Sequence, residues 1–163
     1  ETFQVARDVW GKSYPKIDTE RVQLDGAIDI LPKPTLGDIP TFVTGFSGQS
    51  LDWIAEHSDG WLQYPRGLDE TSQIIHDFRS KKDGFKPYMH SLYIDFLEDP
   101  HAEPSQIHLG FRTGSRFLVQ FLKGLEAAGV NHVVFVLKFA TRPIEEVIKE
   151  LGEQVLPYFP SHR

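Results

Sequence analysis

Four times between Ile39 and Leu156 an apolar, β-branched run gives way to a segment whose apolar residues recur every three or four positions. The last repeat is the clearest. Val133-Val134-Phe135-Val136-Leu137 is unbroken by any polar residue, which predicts a parallel strand buried on both faces. Thr141-Arg142-Pro143 then opens a helix with Ile144, Val147, Ile148, Leu151 and Val155 on one face, and proline in the first turn forfeits no hydrogen bond there. The earlier repeats run from strand 39–45 to helix 51–57, and from strand 61–64 to a helix over 68–85 that buries Ile74, Ile75 and Phe78. Between them and the last lies strand 88–96, followed by a polar loop with two prolines, a little extended chain at 107–109, and a helix marked by Phe117, Leu118, Phe121, Leu122 and Leu125. Alternation of this kind specifies an α/β fold, a parallel sheet with helices outside it.

Two architectures satisfy that pattern, an open doubly wound sheet of flavodoxin type and a (β/α) barrel. A complete eight-unit barrel takes about 250 residues. A chain of 163 residues with four units therefore holds half of one. Half a barrel leaves raw edges, here near Phe42 and Phe135, that another copy or the missing half is expected to cover. Residues 1–38 form a preface: a helix carrying Phe3, Val5, Ala6, Val9 and Trp10, then an irregular connection broken by Pro15, Gly26, Pro32, Pro34 and Gly37. Short strands are expected near Val22–Leu24 and Ile28–Ile30. Residues 39–163 hold the four β/α units, within a single domain overall.

Composition removes several classes. With 12% aromatic residues the chain is not a disordered one, and with no cysteine it has neither disulfides nor a thiolate metal site. A net charge of −6 and no basic cluster beyond Arg79-Ser80-Lys81-Lys82 argue against a nucleic-acid partner. No apolar run approaches the roughly 18 residues of a membrane helix, so no membrane partner is expected and the protein reads as cytoplasmic. The chain opens Glu1-Thr2-Phe3 and has Met89 as its sole methionine, which leads us to expect processing or a longer parent chain.

Three features carry candidate chemistry. Gly45-Phe46-Ser47-Gly48-Gln49-Ser50 joins a strand to a helix, where free N–H groups and serine hydroxyls suit a phosphate; the alternative is a glycine turn with a serine cap. His90, near a strand, is a weak candidate for catalysis, set against an ordinary core or rim histidine. Arg112, between Gly110 and Gly114, is a candidate anion clamp or a solvent-facing loop arginine. No His or carboxylate spacing suggests a metal, and no nucleophile elbow, P-loop or dinucleotide fingerprint is present.

Taken together, Ile39-Pro40-Thr41-Phe42-Val43-Thr44-Gly45-Phe46-Ser47, Trp53 to Trp61, Gly129-Val130-Asn131-His132-Val133, Arg142 to Ile148 and Val155-Leu156-Pro157 resemble the carboxy-terminal half of the bacterial luciferase-like flavin monooxygenases. The resemblance spans about residues 26 to 160. It implies strands five to eight of a TIM barrel, an oxidoreductase using reduced flavin and O₂ on a small organic substrate, and FMN as cofactor, with F420 as the alternative. It places the cofactor phosphate on Thr44, Gly45, Ser47, Gly48, Gln49 and Ser50, with Gln63, Tyr64 and Arg66 at the tip of the next strand beside them. The catalytic groups of the first, third and fourth strands are not in this chain, so a catalytically incomplete half that only binds flavin or assembles is the competing expectation. A homodimer or a missing amino-terminal half is the expected partner.

Overall fold

The computed structural model of the protein describes residues 1–160 and divides into two compact units, Glu1–Thr41 and a second from Phe42 onward. In the first, helix α1 (Thr2–Gly11) precedes an antiparallel pair, β1 (Lys16–Asp18) and β2 (Gln23–Asp25). No strand forms at 28–30. Asp25 accepts from Ala27 N–H and Asp29 from Ile30 N–H, and such local carboxylate bonds draw the backbone away from a ladder. The Lys33 ammonium ties this irregular segment together, donating to the Val9 and Lys12 carbonyls at 2.8 and 2.6 Å and to the Asp29 carboxylate.

The second unit is built on four parallel strands, β3 (Phe42–Thr44), β4 (Gly60–Gln63), β5 (Tyr88–Phe96) and β8 (His132–Val136). They neighbour one another in chain order: β3 pairs with β4, β4 with β5, and β5 with β8. A doubly wound sheet reverses its strand order at a switch point, and none of these neighbours is reversed. The order is that of consecutive barrel strands. Helices α2 (Leu51–His57), α3 (Leu68–Ser80), α4 (Ser115–Ala127) and α5 (Ile144–Gln154) follow the strands, with α2 against α3 and α3 against α4.

Between β5 and α4 the chain makes an antiparallel hairpin, β6 (Ser105–Ile107) and β7 (Gly110–Thr113). We expected only a little extended chain here. Instead β7 adds to the carboxyl-terminal half of β5 in parallel, from Tyr93↔Gly110 to Phe96↔Thr113. A side chain at Gly110 would collide with the Tyr93 backbone, so only glycine permits this approach. Helix α3 also stops at Ser80 rather than 85, where the Ser80 hydroxyl turns back to the Asp77 carbonyl and Gly84 adopts φ +96°.

Strand alternation sorts the sheet into two faces. Trp61, Tyr88, Leu92, Ile94 and Phe96 are almost fully buried on the face covered by helices, where Trp61 meets Phe78 of α3 at 5.2 Å between ring centroids. Each such side chain contributes about 1.5–3 kcal/mol on burial. The opposite face, which in a closed barrel lines the lumen, carries Phe42, Leu62, Tyr93 and Val134. Val134 and Phe42 are each 41% exposed. The expectation that Val133–Leu137 is buried on both faces is thus corrected: the run alternates, because half a barrel covers only one side of its sheet. Along α5 only Val147 and Leu151 are buried, followed by Val155, while Ile144 and Ile148 face outward.

Candidate functional site

Barrel sites form where the strands end at their carboxyl termini. Asp95, next to last in β5, lies there on the inner face and is completely buried. Its carboxylate accepts Arg112 Nε–H at 2.7 Å, Thr141 N–H at 3.0 Å and the Thr141 hydroxyl at 2.9 Å. Burial alone pushes this carboxyl up, but the bonds from Thr141 and Arg112 outweigh it and hold the group below the ordinary carboxylate range. A buried charge left without such partners would be costly. One anion therefore joins β5, the β6–β7 hairpin and the loop after β8. Arg112, the candidate anion clamp, spends its Nε on Asp95 while its side chain stays 48% exposed, so the far end of the guanidinium reaches solvent.

Beside this knot three rings from three segments meet. Tyr93 of β5 lies 5.5 Å from Phe139 and 5.8 Å from His108, and His108 lies 6.5 Å from Phe139. His108 sits in the hairpin turn, Phe139 in the loop after β8, and the Lys138 ammonium stands 5.7 Å over the Phe139 ring. Local sequence does not bring these rings together: His108 lies between Ile107 and Leu109, Phe139 follows Lys138, and only the fold of the hairpin returns His108 to Tyr93.

The Gly45–Ser50 loop is exposed except for half-buried Gly45, and turns through three left-handed residues, Gly45 (φ +57°), Ser47 (φ +49°) and Gly48 (φ +71°). The Ser47 hydroxyl donates to the Thr44 carbonyl at 2.8 Å, and Gln49 N–H donates to the Phe46 carbonyl at 2.8 Å. Ser50 caps α2, its Oγ accepting Trp53 N–H at 3.2 Å, and keeps its own proton for another partner. The Gln49 amide reaches only the Ser47 carbonyl, at 3.4 Å. From the sheet, Trp61 Nε1 donates to the Gly45 carbonyl at 2.5 Å and pins the turn. A side chain at Gly45 would meet the Tyr64 ring at van der Waals distance, so Tyr64 lies beside the loop. Arg66, farther along, is paired with Glu70.

Gln63 and His90 lie elsewhere. They are register partners on the helix-covered face, 3% and 1% exposed, the face from which Trp61 meets Phe78 of α3. Tyr88 joins them, its ring 5.5 Å from that of His90. Gln63 Nε2, Thr71 Oγ1, Tyr88 OH and His90 Nε2 are all buried without a partner among the described residues. Burial, reinforced by the Arg66 cation, pushes the His90 imidazole down to about 4, so it is neutral at physiological pH. Among the described residues no group of three or more His, Cys, Asp or Glu could hold a metal ion, and no helix is long and apolar enough to cross a membrane.

No model of a known protein family matches the chain, and no curated protein matches it in sequence. Solved structures do. An F420-dependent secondary alcohol dehydrogenase in complex with an F420–acetone adduct matches with a TM-score of 0.74 at 13% identity, over 98% of this chain and 60% of its own. A long-chain alkane monooxygenase (LadA) matches with a TM-score of 0.66 at 10% identity, over 94% of this chain and 53% of its own. Identities this low bear on fold, and the fold is a partial TIM barrel. The chain spans little more than half the length of either neighbour.

Proposed function

We propose that this chain is the carboxy-terminal half of a luciferase-like oxidoreductase that uses a reduced flavin or deazaflavin on a small organic substrate. The observation that carries the reading is the strand order, four parallel strands in sequence with an aromatic and charged cluster at their carboxyl ends. The neighbours named above, one F420-dependent and one a monooxygenase, support the cofactor class. We favour FMN over F420 on the sequence resemblance.

The residues present fit such a cofactor in two places. The Ser50 hydroxyl, the Gln49 amide and the exposed backbone around Gly48 offer donors to a phosphate, whereas the Ser47 hydroxyl is already committed to Thr44. Tyr93, Phe139 and the cations Lys138 and Arg112 offer a planar, electropositive rim to a ring system. Bound reduced flavin or deazaflavin supplies the two-electron chemistry; this chain's residues bind, orient and exclude water. Thr44, Gly45 and Tyr64 shape the loop rather than donate to the ligand. Buried and neutral on the helix-covered face, His90 supports the sheet rather than moving a proton at the strand ends.

Titration of the protein with FMN, riboflavin and F420, followed by flavin fluorescence, tests this. Saturable binding, weakened more for FMN than for riboflavin by Ser50→Ala, is expected. Equal losses for the two flavins would leave Ser50 a helix cap alone, and no binding of any of the three would sink the reading. O₂ uptake with long-chain aldehydes, against F420 reduction with secondary alcohols, separates the monooxygenase from the dehydrogenase form. The uncovered inner face, with Phe42 and Val134 exposed, favours one alternative: a flavin-binding or assembly half that acts only once a second copy or the rest of a barrel covers it. Light scattering of the chain alone, with turnover measured on the same sample, distinguishes the two.

A further inference from the structure

Asp95 bonds two excursions of the chain that share little else. The β6–β7 hairpin is held to β5 by the ladder from Tyr93↔Gly110 to Phe96↔Thr113, flanked by bonds from Tyr93 N–H to the Leu109 carbonyl at 3.1 Å and from Leu97 N–H to the Thr113 carbonyl at 3.0 Å. After β8 the loop turns on a single bond, Ala140 N–H to the Leu137 carbonyl at 3.0 Å, before Thr141 reaches Asp95. One residue later it is fixed again, where Arg142 forms a two-pronged pair with Glu150 at 2.7 and 2.8 Å. His108 rides on the hairpin and Phe139 on the loop, and both rest on Tyr93, two residues before Asp95 on the same face of the same strand.

We infer that Asp95 is a positioning residue: by accepting from Arg112 and Thr141 at once, it sets the hairpin and the loop so that His108, Phe139 and Tyr93 form one aromatic wall for the ring of a bound ligand. The role of the wall rests on the proposed function; the coupling of the two segments does not. Each oxygen of the carboxylate serves a different segment, Oδ2 the hairpin and Oδ1 the loop. Asn at this position keeps the volume and one acceptor. Its amide N–H₂, however, must face either the Arg112 Nε–H, which loses the hairpin arm, or Thr141, whose hydroxyl can turn to accept but whose backbone N–H loses its acceptor, so one arm is lost or weakened whichever way it turns.

The test uses the full chain, with the His108 and Phe139 ring resonances and the amide exchange of 105–113 and 138–141 measured by NMR. In Asp95→Asn the ring-current shift of His108 should shrink, and exchange at Arg112 or Thr141 should rise at least tenfold, with α2 and α3 unchanged. Arg112→Gln should disturb Phe139 as well as His108, although Phe139 lies on the other segment, and Arg112→Lys should restore part of the effect. If Asp95→Asn does not fold, the two Arg112 variants decide by the same criteria. Unaltered His108 and Phe139 resonances, or changes confined to the segment carrying the substitution, would overturn the inference. FMN titration of the same samples adds the ligand: at least a tenfold loss of affinity is expected in Asp95→Asn. Should the unsubstituted chain bind no flavin, the proposed function fails while the NMR result still decides the role of Asp95.

Discussion

Replacing His90 should change how stability responds to acid. Its ring is 1% exposed, and burial together with the Arg66 cation lowers its pKa from 6.5 to about 4. The groups that face it are its register partner Gln63 on β4, the Tyr88 ring on its own strand and the Arg66 cation, itself paired with Glu70; none offers a carboxylate bonded to the imidazole. The folded chain therefore holds His90 neutral while the unfolded chain protonates it near 6.5. Stability from this source is complete above the unfolded value and is lost as pH falls from there towards about 4. At 1.36 kcal/mol per unit, the loss by pH 4.5 comes to roughly 2.5 kcal/mol.

Carboxylates held low in the folded state, Asp95 and Glu150 among them, also lose stability in acid. Their loss begins near the ordinary carboxylate values, leaving the window from pH 6.5 to 4.5 mainly to histidine. Urea unfolding at half-unit pH steps, for the natural chain and for His90→Gln, isolates the contribution. Gln cannot titrate, so the variant starts less stable at pH 7.5 and the gap should narrow by roughly 2.5 kcal/mol at pH 4.5. A constant gap across that window would mean that the imidazole reaches water or a partner, and would refute the account.

Three further outcomes follow from single contacts. Tyr88→Phe removes a buried hydroxyl that has no partner among the described residues, and should leave stability unchanged or raise it by about 1 kcal/mol in urea unfolding, where loss of a bonded tyrosine hydroxyl would lower it. Gly110→Ala should detach β7 from β5, seen as rapid amide exchange at Arg112 and in the Tyr93 and Leu97 N–H groups that the hairpin bonds, with α3 still protected. Ser50→Ala should cost about 1 kcal/mol by removing the cap of α2, and Ser47→Ala distinctly less, because the Ser47 bond lies wholly within the turn.

Periodicity carries the fold where apolar residues dominate a segment. Leu118, Leu122 and Leu125 mark α4, and β5 shows its full length in Tyr88–Phe96, because burial against the sheet demands those spacings. Where the environment rather than the residue decides, periodicity is blind. The run Val133–Leu137 has the composition of a doubly buried strand, yet exposure depends on what lies opposite, and half a barrel supplies nothing there. Gly110-Phe111-Arg112-Thr113 reads as a glycine-flanked loop, because the signal for β7 is a missing side chain that lets two backbones approach.

The candidate site shows the same division more sharply. Gly45–Ser50 is legible because a glycine-rich link between a strand and a helix is a local pattern, and its cap and turn are local bonds. His90 drew attention by residue type, Arg112 by its flanking glycines and Gln63 by the resemblance, and alternation then sends Gln63 and His90 to the helix side of the sheet. Asp95 shares β5 with His90 but has the other parity, so one six-residue stretch supplies both a buried structural histidine and a charged anchor facing the strand ends. Its partners are 17 and 46 residues away, on segments that carry no periodic signal. A buried acid at a strand's carboxyl end, with an arginine and a threonine downstream to satisfy it, becomes recognisable only once the parity of that strand is known, and here Trp61↔Tyr88 and His90↔Val133 establish it.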